Sequence, residues 1–328
     1  MKTKSQKRNQ IMEKYSIFIV LLVMIILCSI LNENFLTPNN LSNIMKQLAV
    51  ATILAYGAML LIISGMLDLS SGAVLALSGV LSVSVYKSTG SLIIAFLAAI
   101  LIGILCNLIN AVMVTTFHTP PFIATLAMQT VARGIALLYT QGQNILQLGN
   151  YTVFGQGTIG PVPISIIFMI IITLIVWYIL RHTRFGRSLY AIGGNEEASV
   201  ASGIPVSKYK YIVFLINGIL VGIAGVLFMS RVNAGLPNGA VGYEMEGLTA
   251  AIVGGTSFSG GVGTTMGTLA GAFIVGCLNN IMNLIGVDSY VQQIIKGVII
   301  ALSVMWDIHS KSKKTTKIIL TEEIAQDS

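Results

Sequence analysis

The sequence predicts an all-α integral membrane protein of about ten transmembrane helices, some of them short or broken. Three observations carry that prediction. Hydrophobic residues make up 55% of the chain and charged residues 9%, with a mean hydropathy of +0.84, whereas soluble domains carry roughly 25% charge. The apolar residues fall into runs near the ~20-residue length that a bilayer core about 30 Å thick demands, and runs such as ISIIFMIIITLIVWYIL lack the alternation of a membrane strand. The basic residues, finally, gather at the ends of those runs, which is how membrane topology is encoded.

Taken in order, the chain opens with a basic lead in 1–14 (Lys2, Lys4, Lys7, Arg8) and an apolar run over 15–31. The following CSILNENFL lacks a small-x-small cleavage site, so 15–31 reads as an uncleaved first span and not as a signal peptide. Further apolar segments follow at 47–67, 72–86, 91–115, 121–140, 163–181, 210–230, 247–260, 264–285 and 289–306. The segments 72–86 and 247–260 are short and predict tilted, broken or re-entrant helices. No stretch suits a soluble domain, so 15–307 forms one membrane domain between tails at 1–14 and 308–328.

An even number of spans puts both termini on one side. The N-terminal tail, the loop 182–209 with its flanks, and the C-terminal tail together hold 14 of the 19 Lys and Arg residues. The positive-inside rule makes that side cytoplasmic, in a multi-pass protein of the cell membrane. The net charge of +7 therefore reads as orientation and contact with anionic membrane lipid, with no nucleic-acid partner. Segments 141–162 and 231–246 fall on the opposite face.

No catalytic or metal-binding constellation emerges. Cys28, Cys106 and Cys277 lie in apolar runs without ligand spacing, and His118, His182 and His309 sit singly at span ends. The glycine-rich GGTSFSGGVGTTMG lacks the lysine of a phosphate-cradling loop, so no cofactor is expected on this chain, and glycines there predict close backbone packing.

The polar loop between the sixth and seventh spans contains a short helix, Glu196 to Ser202. Asn195 is a good N-cap, Glu196 and Glu197 suit the first turn, and Gly203 with Pro205 stops the helix. Its faces are small (Ala198, Ser199, Ala201, Ser202). So short a helix is marginal in water; it either lies on its own membrane domain or seats in a groove of a partner protein.

Charged and amide side chains within spans cost about 2.5–3.5 kcal/mol each at the membrane centre when charged, and so face protein or water. Arg133 is either part of a passage, paired with Asp68 or Glu244, or snorkels to the outer face. Lys296 shares a helical side with Gln292 and Gln293; Asn279, Asn280 and Asn283 form a second polar set. These two stripes either line a passage for a hydroxylated solute or act as interhelical glue. Asp68 caps the third span or contacts substrate. Thr119-Pro120-Pro121 reads as a cap and rigid first turn, and the pairs Gly218/Gly222 and Gly267/Gly271 as helix-packing sites within or between subunits.

The stretch FGRSLYAIGGNEEASVASGIPVSKYK (185–210) resembles the loop of ribose-type ABC-transporter permeases, membrane subunits of bacterial sugar importers. SGMLDLSSGAVLALSG, TPPFIATLAMQTVARGIALLYTQG, PNGAVGYEMEGLTAAIVGGTSFSGGVGTTMGT and NLIGVDSYVQQIIKG are similar to the same family in the same order, covering about 40 to 307. Ser71 replaces a usual valine and Glu246 a usual aspartate. The resemblance implies a permease domain whose loop carries a cytoplasmic coupling helix over Asn195, Glu196, Glu197, Ala198, Ala201, Ser202 and Gly203. It implies a second permease subunit as a homodimer, a separate ATPase subunit holding ATP and Mg, and an extracytoplasmic solute-binding protein. The expected cargo is a monosaccharide such as ribose or a related polyol; permeases for furanosyl signalling molecules, nucleosides or branched amino acids look alike. A gradient-driven secondary transporter would need intramembrane acids placed as a relay, and Asp68, Glu244 and Glu246 are few and near span ends.

Overall fold

The computed structural model describes the backbone of residues 4–305 and 309, and side chains from residue 16. Lys2 and all of the expected C-terminal tail except His309 lie outside the described residues. The chain is overwhelmingly helical: α1 (Lys4–Leu31), α2 (Pro38–Ile63), α3 (Ser71–Thr89), α4 (Leu92–Thr115), α5 (Pro121–Thr140), α6 (Val153–Gln156), α7 (Ile164–His182), α8 (Arg184–Gly194), α9 (Glu196–Ala201), α10 (Val206–Val232), α11 (Tyr243–Val253) and α12 (Thr265–Leu284), with α13 at Ser289–Met305. Seven of these (α2, α3, α4, α5, α7, α10, α12) are long and apolar enough to cross a membrane; Ser16–Leu31 within α1 and α13 are apolar but shorter.

Several boundaries differ from expectation. The helix of the first span begins at Lys4, inside the segment expected to be a tail, because basic and polar residues there favour helix as well as apolar ones do. α2 starts at Pro38, nine residues before the apolar run, with proline in its first turn. The segment expected at 247–260 is an 11-residue half-helix, α11, followed by a turn-rich loop.

α2 and α10 are apolar around most of their circumference and form the centre. α4 packs along α10 through glycine. A Cβ at Gly103 would strike the carbonyl of Gly218, and one at Gly222 the carbonyl of Ala99. α12 meets α11 in the same way, Gly267 against Gly254 and Gly271 against Ala250. Without a hydrophobic drive between helices in lipid, such close backbone approach supplies the dispersion contact that holds them. Both small-residue pairs expected from the sequence, Gly218/Gly222 and Gly267/Gly271, thus make close contacts within the chain. α4 and α7 turn apolar rows outward, Leu97/Leu101/Leu105 and Ile171/Leu174/Tyr178.

Loops sort into two ends. At one, the short strands β1 (Ile145–Leu146) and β4 (Ala234–Gly235) pair antiparallel, and β2 (Thr158–Ile159) pairs with β3 (Val162–Pro163). Lys87 Nζ donates to the Leu146 carbonyl at 2.7 Å there. The other end gathers the α2 terminus, α8, α9 and the 254–264 loop: the Gly261 amide donates to the Ile63 carbonyl at 2.9 Å and the Tyr190 hydroxyl to the Gly263 carbonyl at 2.8 Å.

Candidate functional site

Three polar assemblies stand out from this apolar body. The first is the α8–α9 projection. Asn195 is extended (φ −161°) and its Oδ1 accepts from the Ala198 amide at 2.8 Å, the N-cap that the sequence announced. Glu196 pairs with Lys210 of α10 at 2.6 Å. Helix α9 closes with Gly203 at φ +78°, the Gly203 and Ile204 amides returning to the carbonyls of Val200 and Ser199. This is a Schellman termination that needs a left-handed residue. Ser202 serves as C-cap, one residue short of the expected helix end. Only Ser199 faces inward; Glu196, Glu197, Ala198, Val200 and Ala201 are exposed. The helix therefore does not lie flat on the membrane domain.

What carries α9 is α8, an element not anticipated from the sequence. Thr183 caps it by accepting from the Gly186 amide at 3.1 Å, and Gly186, Leu189 and Ile192 are its buried side. Gly193 sits so close to the α2 terminus that a Cβ would strike the Ile63 carbonyl and the Gly261 amide, and Gly260 abuts the Gly193 carbonyl in turn. The projection is seated on backbone. Beside it a groove of about 520 Å³ is lined by Arg184, Arg187, Ser188, Gly203, Pro205 and Tyr209. Burial pushes the Tyr190 phenol above its ordinary pKa, consistent with its role as a neutral donor to Gly263.

The second assembly centres on Asp68, which is 3% exposed. Its Oδ1 accepts from the Ser70 amide (2.7 Å) and hydroxyl (2.5 Å), and its Oδ2 from the Ser71 hydroxyl and Asn217 Nδ2, both at 2.7 Å. Asn217 also donates to Asn107, and Asn110 to Ser70. The carboxylate lies at the start of α3, where the helix dipole favours it. Four donors hold this carboxylate at the entry to α3, whose N-cap residue is Ser70, an arrangement that suits bracing of the helix start.

The third assembly surrounds the first turn of α11, which carries Glu244 and Glu246, each 7% exposed. They point to opposite flanks. Glu246 Oε1 meets Lys296 of α13 at 2.6 Å and Asn279 of α12 at 3.1 Å. Glu244 Oε1 accepts from Gln129 of α5 at 3.3 Å, while its Oε2 is buried with no partner. Arg133 forms no salt bridge with Asp68 or Glu244; its Nη1 donates to the carbonyls of Pro237 (2.6 Å) and Gly239 (2.8 Å), holding the segment that enters α11. It is half-buried and does not snorkel free.

The two expected polar stripes meet only in part. Gln292 donates to Asn283 at 2.9 Å, and Asn279 and Lys296 share Glu246. Asn280 faces away, in a reciprocal amide pair with Asn40 of α2. α5 starts at Pro121 with Pro120 as N-cap and no side-chain cap, so Thr119 does not take that role. The three cysteines are buried and free, and no cluster of metal-ligating side chains occurs among the described residues.

A chain of apolar helices, seven of them long and apolar enough to cross a membrane, defines a multi-pass membrane protein. The family model described as "Branched-chain amino acid transport system / permease component" matches residues 40–304, and the chain belongs to that permease family. Among curated relatives, it is 42% identical over 302 residues to the ribose import permease protein RbsC of Escherichia coli strain K12, covering 90% of this chain and 94% of the relative. It is 39% identical over 308 residues to RbsC of Bacillus subtilis strain 168 (92% and 96%) and 33% identical over 298 residues to the D-allose transport system permease protein AlsC of Escherichia coli strain K12 (90% and 91%). No solved structure matches the chain.

Proposed function

We propose that this protein is the membrane subunit of an ATP-driven importer for a monosaccharide, ribose or a close relative, with α9 as the helix that couples its spans to a separate ATPase. The observation that carries the reading is the α8–α9 projection: a capped helix exposing Glu196, Glu197, Ala198, Val200 and Ala201, seated on the ends of α2 and the 254–264 loop. Force on α9 passes through backbone contacts into α11 and α12. The sugar assignment rests on relatives named for ribose, allose and arabinose.

In this reading α1, α11 and α13 complete about ten membrane-embedded segments, with the end bearing Arg184, Arg187, Lys208 and Lys210 in the cytoplasm. Two copies form the passage, a solute-binding protein docks on the outer loops, and ATP with Mg binds only the ATPase partner. Arg133, Lys296, Asn279, Asn283 and Gln292 flank the passage around α11; Asp68 and Asn280 brace the helices behind it. The chain supplies alternating access and no covalent chemistry. Replacing Ala198 or Ala201 by Trp or Glu is expected to abolish ATP-driven uptake of radiolabelled D-ribose and co-purification of the ATPase while membrane insertion is unchanged. Normal uptake, or labelling of a cysteine at position 201 from the exterior only, would refute the coupling role.

A further inference from the structure

We propose that Glu244, with Gln129 and Arg133, forms a subsite that reads the hydroxyl groups of a neutral polyhydroxylated solute during its passage. The inference rests on the importer reading and names the residues that touch the cargo.

Among the buried carboxylates Asp68, Glu244 and Glu246, Glu244 is the one with a buried oxygen that has no hydrogen-bond partner. Asp68 has both oxygens on close donors and Glu246 has two on its Oε1, but Glu244 has one oxygen held by Gln129 at a long 3.3 Å and the other, Oε2, buried with no hydrogen-bond partner. An unsatisfied buried acceptor is costly, and native structures contain few of them. Oε2 is packed against α3: the facing residue is Gly72, where even a Cβ would strike it. Arg133, one turn along α5 from Gln129, is engaged by the Pro237 and Gly239 carbonyls and does not pair with the acid.

The composition of the cluster selects the ligand class. Arg133 beside the site opposes a bound cation, and Glu244 opposes an anion. An amide that both donates and accepts, a carboxylate with free lone pairs and a guanidinium together suit hydroxyl groups, which also both donate and accept. Gln129 and Arg133 are half-buried and the neighbouring Val241 and Met245 exposed, so the cluster lies just beneath one face of the protomer. In the present conformation Oε2 is closed against α3; tilting α11 away from Gly72 opens it. A vicinal diol then donates to the two carboxylate oxygens.

The test is relative transport by the reconstituted importer, with its ATPase and binding protein, of D-ribose, D-allose and L-arabinose. Glu244→Gln turns an acceptor into a donor at constant shape. It is expected to change the ratios among the sugars by about tenfold, since losing a hydrogen bond to a charged partner discriminates at that scale. Gln129→Leu, at a half-buried position, is expected to shift the same ratios less, and Glu244→Asp to restore them in part. If Glu244 is instead a protonated acid serving the fold, Glu244→Gln leaves every ratio at the wild-type value, which overturns the subsite. Equal slowing of all three sugars in Glu244→Gln and Gln129→Leu does the same. Failure of the wild-type complex to carry any of them overturns the importer reading itself.

Discussion

A buried carboxylate with no salt-bridge partner among the described residues survives at Asp68 because its partners are arranged at the entry to the helix. Ser70 and Ser71 supply three donors from the next three residues, and Asn217 brings a fourth from α10. Half of this was legible in the chain: DLSSG is a local capping pattern, and local hydrogen bonds need only local sequence. Asn107, Asn110 and Asn217 were not linked to it, since nothing in sequence spacing reports a contact between residues 40 to 149 positions apart. Each is nonetheless an amide within a strongly apolar run, and such an amide needs a buried partner. Asp68→Ala is expected to strand those donors and to destabilise the protein by about 3 kcal/mol or more, read as a lower thermal unfolding midpoint in detergent. Asp68→Asn, which keeps the shape and one acceptor, is expected to fall between. An unchanged midpoint in the alanine variant would show that the network does not hold α3.

Among the elements, those with caps close in sequence were readable and those defined by packing were not. Asn195, the acids of the first turn and Gly203 delimit α9 to within a residue, and its exposure follows from small, polar faces. α8 escaped notice because Gly193 and Gly194 look like a break. The helix tolerates them because Gly193 is where α8 meets the Ile63 carbonyl and the 254–264 loop, and the cost of glycine in a helix, about 1 kcal/mol, is offset by that approach. α11 was recognised as short but placed four residues late, since Glu244 and Glu246 interrupt the apolar pattern that marks a span. The two adjacent glycines give a matched experiment. Gly193→Ala puts a methyl into backbone that cannot retreat, whereas Gly194→Ala meets nothing within 4 Å. The first is expected to unseat the projection, so that limited proteolysis cuts 183–205 at least tenfold faster, and the second to cut at the wild-type rate or slower. Equal rates would mean that α8 is held by something other than the glycine contact.

At the scale of the whole molecule, helices in lipid gain little by burying apolar surface against each other, so packing and polar contacts must decide which of them stay together. α3 and α4 are joined to α10, and α12 to α11, by glycine-mediated backbone contact. α13 is different: it turns Tyr290, Ile294, Val298 and Leu302 outward, and a Cβ at Gly297 would meet nothing. Val304 near its end packs against the core, and the rest of its tie to the bundle is polar, through Lys296 on Glu246 and Gln292 on Asn283. Lys296 and the amides were visible from the sequence as a helical side; that their acid would be Glu246, on the half-helix α11, required the fold. Breaking such a pair from one side leaves the other charge buried, which costs more than the pair itself is worth. Lys296→Met is therefore expected to lose about 2–4 kcal/mol of stability, the lower end reflecting a lysine that is 30% exposed. Glu246→Gln combined with Lys296→Met removes both charges together and is expected to recover at least half of that loss. Unfolding of the wild type, both single variants and the double variant in one detergent closes the cycle. Additive losses in the double variant would show that Lys296 and Glu246 act independently, and α13 would then need another anchor.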